Sequence, residues 1–226
     1  MSDQHVAHTE ENDIVLKAQN FWQKNSKTVL IIVVAIVAIV GGWFGYNNYI
    51  LKPKEEKAAD AIVKVQEYFR LDSSNLVLNG DGQNKGALYI MNTYSGTKTA
   101  NLAKFYAGVS YLHKAEFANA VKYLKDFTTD AKQIQLLAFG NLGDALSELN
   151  QKDEAIASYK KAASIFEIDE ANSAEYLFRA GLLSETSGKT KEALEIYKDL
   201  KAKFPKTDKG FQADKYIYRL SIEKSE

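Results

Sequence analysis

Hydrophobic and polar residues are distributed along this chain in two different ways. Residues 28–51 contain no charged side chain, and the run VLIIVVAIVAIVGGWFGY within them is apolar almost throughout. From residue 58 onward the apolar residues instead recur at helical spacing, with breaks at short polar segments. We therefore predict an all-α protein in which one apolar helix precedes a series of amphipathic helices.

The apolar run is long enough to cross a membrane. Residues 29–46 span about 27 Å as an α-helix, close to the thickness of the hydrocarbon core of a bilayer. Aromatic residues, which favour membrane interfaces, flank both ends: Phe21, Trp22, Trp43, Tyr46 and Tyr49. A buried core helix would need protein on every side of its β-branched residues, and a cleaved signal peptide would need a clear small-x-small site. We predict an uncleaved transmembrane signal anchor at residues 28–51.

The orientation of this anchor is not decided by its flanking lysines. Three lysines precede the span and three follow it: Lys17, Lys24, Lys27, Lys52, Lys54 and Lys57. The positive-inside rule therefore favours neither orientation of the span. The preceding tail, residues 1–27, is short and acidic at its start, so we expect a disordered cytoplasmic tail and export of the larger part. The small residues Gly41 and Gly45, like Ala38 and Gly42, could allow close packing of a second copy of the helix.

The rest of the chain separates into a connecting region and a regular region. Pro53 breaks the helix or marks a boundary just after the span. Residues 52–100 are predicted to form a linker helix and a degenerate helix pair, with a long, flexible loop at 71–86 that is rich in Asn, Asp, Ser and Gly. Residues 101–226 are predicted to form helical repeats, and Phe211, Tyr216, Ile217 and Leu220 lie on one face of a final capping helix.

Three segments of the regular region resemble one another. They are AGVSYLHKAEFANAVKYLKDF, LGDALSELNQKDEAIASYKKA and AGLLSETSGKTKEALEIYKDL, which begin at residues 107, 142 and 180. Each has glycine at its second place, alanine twelve residues later and a bulky residue four beyond that. We expect the small residues to lie where two antiparallel helices cross closely. These segments resemble the tetratricopeptide repeat, a helix-turn-helix of about 34 residues.

The sequence offers little support for catalysis or for binding of nucleotides and metals. Gly188-Lys189-Thr190 lacks the upstream glycine and the preceding strand of a phosphate-binding loop, and the repeats place it in a helix-helix turn. The chain has no cysteine; His5 and His8, three residues apart, could at most bind a metal weakly, and His113 has no partner that spacing identifies. Equal numbers of basic and acidic residues, 29 of each, argue against nucleic-acid binding. We predict a non-enzymatic protein without a cofactor.

A binding surface is expected along the first helices of the repeats. In helical repeat arrays these helices line a concave groove that receives a partner's peptide. For Phe105 and Leu182, packing within the protein is an equally good interpretation. The predicted groove residues are Phe105, Val109, Leu112, Asn141, Asp144, Glu148, Phe178, Arg179, Leu182 and Glu185.

The arrangement of short tail, single anchor, helix and repeats resembles the bacterial YfgM-like family. The similarity includes YSGTKTANLAKFYAGVSYL, residues 94–112, together with the three repeat cores. The resemblance implies an ancillary subunit of the SecYEG translocon, anchored in the inner membrane, whose periplasmic repeats meet exported polypeptides and periplasmic folding factors. Because KFPKTDKGFQADKYIYRL also resembles terminal repeats of envelope organisers, a scaffold for envelope assembly or cell division is the alternative.

Overall fold

The computed structural model describes residues 3–223, and the side chains of residues 14–222. Within those residues the regular secondary structure is helical, which confirms the predicted all-α class. The chain divides after Pro53 into two compact units. The helices are α1 (Asp3–Tyr46), α2 (Lys52–Arg70), α3 (Ser74–Asn79), α4 (Ala87–Thr93), α5 (Lys98–His113), α6 (Phe117–Lys125), α7 (Lys132–Glu148), α8 (Lys152–Ile165), α9 (Glu170–Thr186), α10 (Thr190–Lys203) and α11 (Asp208–Glu223).

The first unit is built on α1, which contains the apolar run. Its apolar side chains are not covered by the described protein, and Val37 and Ile39 are 65% and 71% exposed. Among the described helices, one is long and apolar enough to cross a membrane. The tail that the sequence predicts to be disordered is helical in the structure from Asp3 onward. A segment without proline or glycine, with apolar residues at helical spacing, can extend the helix of the span. His5 and His8 lie outside the described side chains.

The sequence predicts that Pro53 either breaks the helix or marks a boundary. In the structure Pro53 does not break the helix, but the boundary between the two units follows it. It lies in the first turn of α2, directly after a π-helical turn at Asn47–Leu51. The backbone N–H of Lys52 donates to the carbonyl of Asn47, five residues back. Proline has no N–H and its ring clashes with the carbonyl four residues earlier, so the wider turn accommodates it.

Residues 71–86 are folded rather than a long, flexible loop. Helix α3 lies inside this segment and buries Val77 and Leu78. The following turn is held by Asp81, whose carboxylate accepts hydrogen bonds from the backbone N–H of Asn84 and from the Tyr68 hydroxyl. These hydrogen bonds hold the pKa of Asp81 well below its usual range. The sequence does not predict this helix, because six residues that include Asn and Ser are too few to show an apolar period.

The second unit contains three antiparallel helix hairpins, α5–α6, α7–α8 and α9–α10. In each hairpin a Cβ atom placed on the repeated glycine would lie 2.5–2.7 Å from the bulky residue of the second helix. The repeated alanines are fully buried. These contacts agree with the predicted close crossing of the helices. The glycine and bulky pairs are Gly108 with Leu124, Gly143 with Tyr159, and Gly181 with Tyr197.

The turns of the hairpins share one backbone feature. The residues that connect the two helices have positive φ at Ala115, Asn150 and Gly188, which are 58°, 58° and 75°. Asp72, between α2 and α3, has a φ of 53°. The same left-handed turn therefore follows α2, which agrees with a degenerate helix pair ahead of the three repeats.

Helix α11 packs against α10 and α9. Leu220 is fully buried there, while Tyr216 and Ile217 are partly buried against the same core. Phe211 departs from its predicted place on the packed face, because it is 71% exposed. The close contact is made one residue earlier, by Gly210, which lies against the carbonyl group of Phe204.

Candidate protein-binding face

The first helices of successive hairpins lie next to one another. Contacts join α5 to α7, α7 to α9 and α9 to α11. Helix α2 shares a hydrophobic cluster with α5, through Ile62, Val65 and Tyr68 on one side and Ala103 and Ala107 on the other. We call the surface formed by α2, α5, α7, α9 and α11 the first-helix face. Its two ends are built from different kinds of side chain.

At the end nearest α2, the first-helix face contains a groove between α2, α5 and α7. Its volume is about 530 Å³. Arg70 is its only charged lining residue, and most of the others are apolar or aromatic. The lining residues are Gln66, Phe69, Arg70, Leu102, Phe105, Tyr106, Val109, Ile134, Leu137 and Asn141.

Aromatic rings form one wall of this groove. Phe69 and Tyr106 meet edge to face with ring centroids 5.0 Å apart, and Tyr106 and Phe105 meet in the same manner at 5.6 Å. Phe105 is supported from behind by Phe127, at 5.6 Å. Phe127, which follows α6, therefore supports the groove. Edge-to-face packing stabilises this arrangement of the rings.

At the other end of the first-helix face, an ion-pair network joins α7, α9 and α11. Arg179 donates from its Nη1 atom to Asp144 Oδ1 at 2.7 Å and from its Nε atom to Glu175 Oε1 at 2.8 Å. Lys209 Nζ lies 3.3 Å from Glu175 Oε2. Arg219 pairs with Glu185 in the same way between α11 and α9. Each first helix of this half is therefore linked to the next by charge.

Two tyrosines attach the second helices to this network. The Tyr159 hydroxyl donates to Asp144 Oδ1 at 2.7 Å, and the Tyr197 hydroxyl donates to Glu185 Oε2 at 3.2 Å. Burial, together with the neighbouring carboxylates, raises the pKa of both phenols. Tyr176, which stacks on Tyr159 with centroids 6.2 Å apart, has its pKa raised to about 12, chiefly by burial. The three phenols stay protonated at neutral pH, and those of Tyr159 and Tyr197 act as hydrogen-bond donors.

The predicted groove residues fall into both ends of the first-helix face. Phe105, Val109 and Asn141 line the groove, whereas Asp144, Arg179 and Glu185 belong to the ion-pair network. Their binding role remains a prediction. Phe105, Val109 and Phe178 are buried; Leu112, Asn141, Asp144, Arg179 and Glu185 are partly buried; Glu148 and Leu182 are exposed.

Several lining residues were not predicted from the sequence. Ile134 and Leu137 precede Asn141 by seven and four positions, so helical spacing from Asn141 could have identified them. Phe69 and Arg70 could not have been placed, because nothing in the sequence shows that α2 lies beside α5. The groove depends on that long-range contact.

The described residues do not assemble a metal site. They contain no group of three or more His, Asp or Glu placed to hold a metal ion. Gly188, with a φ of 75°, lies in the turn between α9 and α10, where the sequence analysis placed it. His113 is about half exposed, and its Nδ1 atom lies 3.7 Å from a carboxylate oxygen of Asp72.

The repeats, their hairpin turns and the groove agree with the family comparison. Residues 19–208 match the tetratricopeptide repeat-like domain. The chain belongs to this family. Comparison with curated proteins gives no match. The matched region begins before the apolar run, so the apolar segment lies within the matched region together with the repeats. A tetratricopeptide repeat-like domain fits a protein-protein interaction module, because its stacked helices provide extended binding surfaces.

Proposed function

We propose that this protein is a membrane-anchored, non-enzymatic interaction module that binds apolar segments of other polypeptides in the groove. The observation that carries the proposal is the contrast in polarity within the first-helix face. The groove presents aromatic and aliphatic side chains with Arg70 as its one charge. Such a lining favours an apolar helix or an unfolded segment over a charged terminus.

The span gives this binding activity a location. Helix α1 exposes most of the apolar side chains of the predicted span, which a bilayer would cover. A groove held at the membrane meets segments of proteins that are inserted or exported there. On its resemblance to the YfgM-like family, we assign the protein to the bacterial inner membrane as a single-pass protein with its repeats in the periplasm. Its role is that of an ancillary subunit beside the SecYEG translocon, which passes exported polypeptides to periplasmic folding factors.

Site-specific photocrosslinking in cells tests this proposal. A benzoylphenylalanine at Gln66, at the edge of the groove, should crosslink to translocon subunits or exported chains. The same probe at Ala157, exposed on the second helix α8, is the matched control. Equal products at both positions, or none that belong to secretion, would reject the translocon role. A reporter fused after the last residue, active only in one compartment, tests the orientation.

A groove variant separates binding from folding. Leu137→Asp places a charge among the aromatic and aliphatic lining residues, so we expect loss of the crosslinks formed from Gln66. Leu137 is only partly buried, and an unchanged circular dichroism spectrum would show that the repeats still fold. Ile168→Asp is the control, because Ile168 is 85% exposed outside the first-helix face. Unaltered crosslinking in a folded Leu137→Asp protein would contradict binding in the groove.

The alternative function is a scaffold for envelope assembly or cell division. It is favoured by α11, which leaves Phe211 and Tyr218 each 71% exposed and Ile222 45% exposed. Exposed apolar residues on one helix can contact a permanent partner. A single stoichiometric partner unrelated to secretion, recovered with the wild-type chain and lost with Phe211→Ser and Tyr218→Ser, would favour this scaffold over the translocon role.

A further inference from the structure

The part of α1 that precedes the span has the character of a surface helix. Residues 14–27 are helical and contain no acidic residue. Four residues of this stretch, Ile14, Ala18, Phe21 and Trp22, follow one another at intervals of four, three and one, which brings them to one side of the helix. Ile14, Phe21 and Trp22 are 67%, 60% and 57% exposed, so the described protein leaves them uncovered.

The lysines of this segment border its apolar side, since Lys17 precedes Phe21 by four residues, and the exposed Leu16 lies among them. Lys17 and Lys24 are seven residues apart and Lys27 is three further on, so the three lysines share a side. Lys24 and Lys27 are exposed, and no side chain among the described residues pairs with either of them. The lysine-bearing side and the side with Trp22 together form an amphipathic helix of about 21 Å.

From this arrangement we infer that residues 14–27 form a second membrane contact, a helix that binds the surface of an anionic lipid leaflet. This inference rests on the proposed membrane anchoring, because the span beginning at Thr28 holds the segment at the bilayer surface. An apolar side bordered by lysines is a feature of interfacial helices, which bury that side about 5–10 Å deep. The positive charge of the lysines favours an anionic leaflet, since lysines near the surface attract anionic headgroups.

The segment between the two membrane contacts permits this arrangement. Helix α1 is continuous through residues 25–28, so lying on the surface requires a bend there. The four residues are Asn25, Ser26, Lys27 and Thr28, three of which are weak helix formers. A bend at this point leaves the span in the bilayer and turns Trp22 towards the lipid surface.

Tryptophan fluorescence of the full-length chain tests this inference. The sequence contains two tryptophans, so Trp43→Phe leaves Trp22 as the single reporter. The protein is reconstituted in vesicles of phosphatidylcholine, with or without phosphatidylglycerol, in both cases with lipid brominated near the headgroup. We expect Trp22 emission at shorter wavelength and stronger bromine quenching in the anionic vesicles. Equal, water-like emission in both vesicles would overturn the inference.

Lysine variants identify the source of the lipid preference. Each lysine close to an anionic surface changes binding roughly fivefold, so Lys24→Gln with Lys27→Gln should reduce the anionic preference by at least about tenfold. Lys52→Gln with Lys57→Gln, beyond the other end of the span, is the matched control and should leave Trp22 unchanged. Equal responses from both pairs would contradict the inference.

Flotation separates this inference from the membrane anchor itself. If the chain does not float with the vesicles, the proposed anchoring fails and the surface contact fails with it. If it floats while Trp22 remains in water, the surface helix alone is wrong. If Trp22 becomes shielded only after other membrane proteins are added, a protein covers it and the lipid assignment is overturned.

Discussion

The groove and the ion-pair network occupy the two ends of the same first-helix face, yet they use their side chains in opposite ways. In the network, Asp144, Glu175 and Arg179 satisfy one another across α7 and α9. In the groove, Arg70 is the one charged lining residue and no side chain among the described residues pairs with it. Equivalent helices of one repeat fold therefore present a closed polar surface at one end and an open apolar surface at the other.

This difference indicates where a partner gains most from binding. In the network the charges already have partners within the chain, so a ligand would have to replace existing ion pairs before it gained contacts of its own. In the groove, apolar surface is exposed to water and its coverage is favourable, at about 25 cal/mol for each Å². The network links neighbouring repeats, while the groove leaves apolar surface open, as the proposed binding requires.

The largest effect is expected from removing an aromatic side chain under the network. Tyr197 is fully buried, stacks on Tyr216 with centroids 4.8 Å apart and donates to Glu185. Tyr197→Ala should lower the free energy of unfolding by about 3–5 kcal/mol, because it leaves a large cavity. Urea denaturation of the full-length chain in detergent measures the loss. Tyr218→Ala, on the exposed side of α11, should change it by less than about 0.5 kcal/mol.

A comparison within the groove sharpens this result. Tyr106 is only partly buried, so Tyr106→Ala should cost clearly less than Tyr197→Ala. Equal losses at the two positions would show that the groove contributes as much to stability as the network does. The distinction between an open and a closed end would then be wrong.

Gly140 tests how closely the network half is packed. A Cβ atom at this position would lie 2.0 Å from the Tyr176 ring, closer than the contact at any repeated glycine. Gly140→Ala should therefore destabilise the protein by about 1–3 kcal/mol, although alanine favours helices. Combining it with Tyr176→Leu, which shortens the side chain, should cost less than the sum of the two single changes. Strict additivity in denaturation experiments would show that the two residues do not interact.

Two of the three arginines of the first-helix face, Arg70 and Arg179, provide a matched pair. Arg179→Met removes two charged hydrogen bonds and should lower the free energy of unfolding by about 1 kcal/mol, since both carboxylates are partly exposed. Arg70→Met, in the groove, should leave it nearly unchanged. Equal losses from the two variants would contradict the division between network and groove.

The effect of Arg179→Met should depend on pH. Burial raises the pKa of Glu175, but its hydrogen bond to Arg179 and the charges of Arg179 and Lys209 outweigh this, so the pKa is lowered overall. A lowered pKa stabilises the fold above the value of the unfolded chain, about 4.3, and this contribution is lost as the pH falls through the folded pKa. The difference between wild type and variant should therefore shrink below about pH 4. A constant difference down to low pH would assign the loss to packing of the arginine stem.

Much of the repeat fold could be predicted from the sequence because its determinants are local. Glycine and alanine at a fixed interval indicate two closely crossing helices. In the structure Gly143 and Gly181 indeed lie against Tyr159 and Tyr197. The length and composition of the apolar run likewise indicated a helix able to span a membrane. Helix α3 was not predicted, because its six residues, which include Asn and Ser, are too few to show an apolar period.

The groove and the network were less predictable because they depend on contacts between distant segments. Phe105 and Val109 were selected by their place in the repeat, but the wall supplied by Phe69 requires α2 to lie beside α5. Asp144 and Arg179 were predicted to face a partner, and the structure pairs them with each other across 35 residues. Sequence position identifies a shared face, whereas charge pairing across it requires the packed helices.

The smallest effect is expected at the turn of the first hairpin, which belongs to the groove half. Ala115 has a φ of 58°, while the matching place in the third hairpin is Gly188. A left-handed conformation costs a residue with a Cβ atom roughly 1 kcal/mol, and glycine avoids that cost at some loss of entropy in the unfolded chain. Ala115→Gly should therefore raise the free energy of unfolding by about 0.5 kcal/mol, and Gly188→Ala should lower it by about 1 kcal/mol. Urea denaturation of both variants gives the signs, and destabilisation by Ala115→Gly would mean that the two turns are not equivalent.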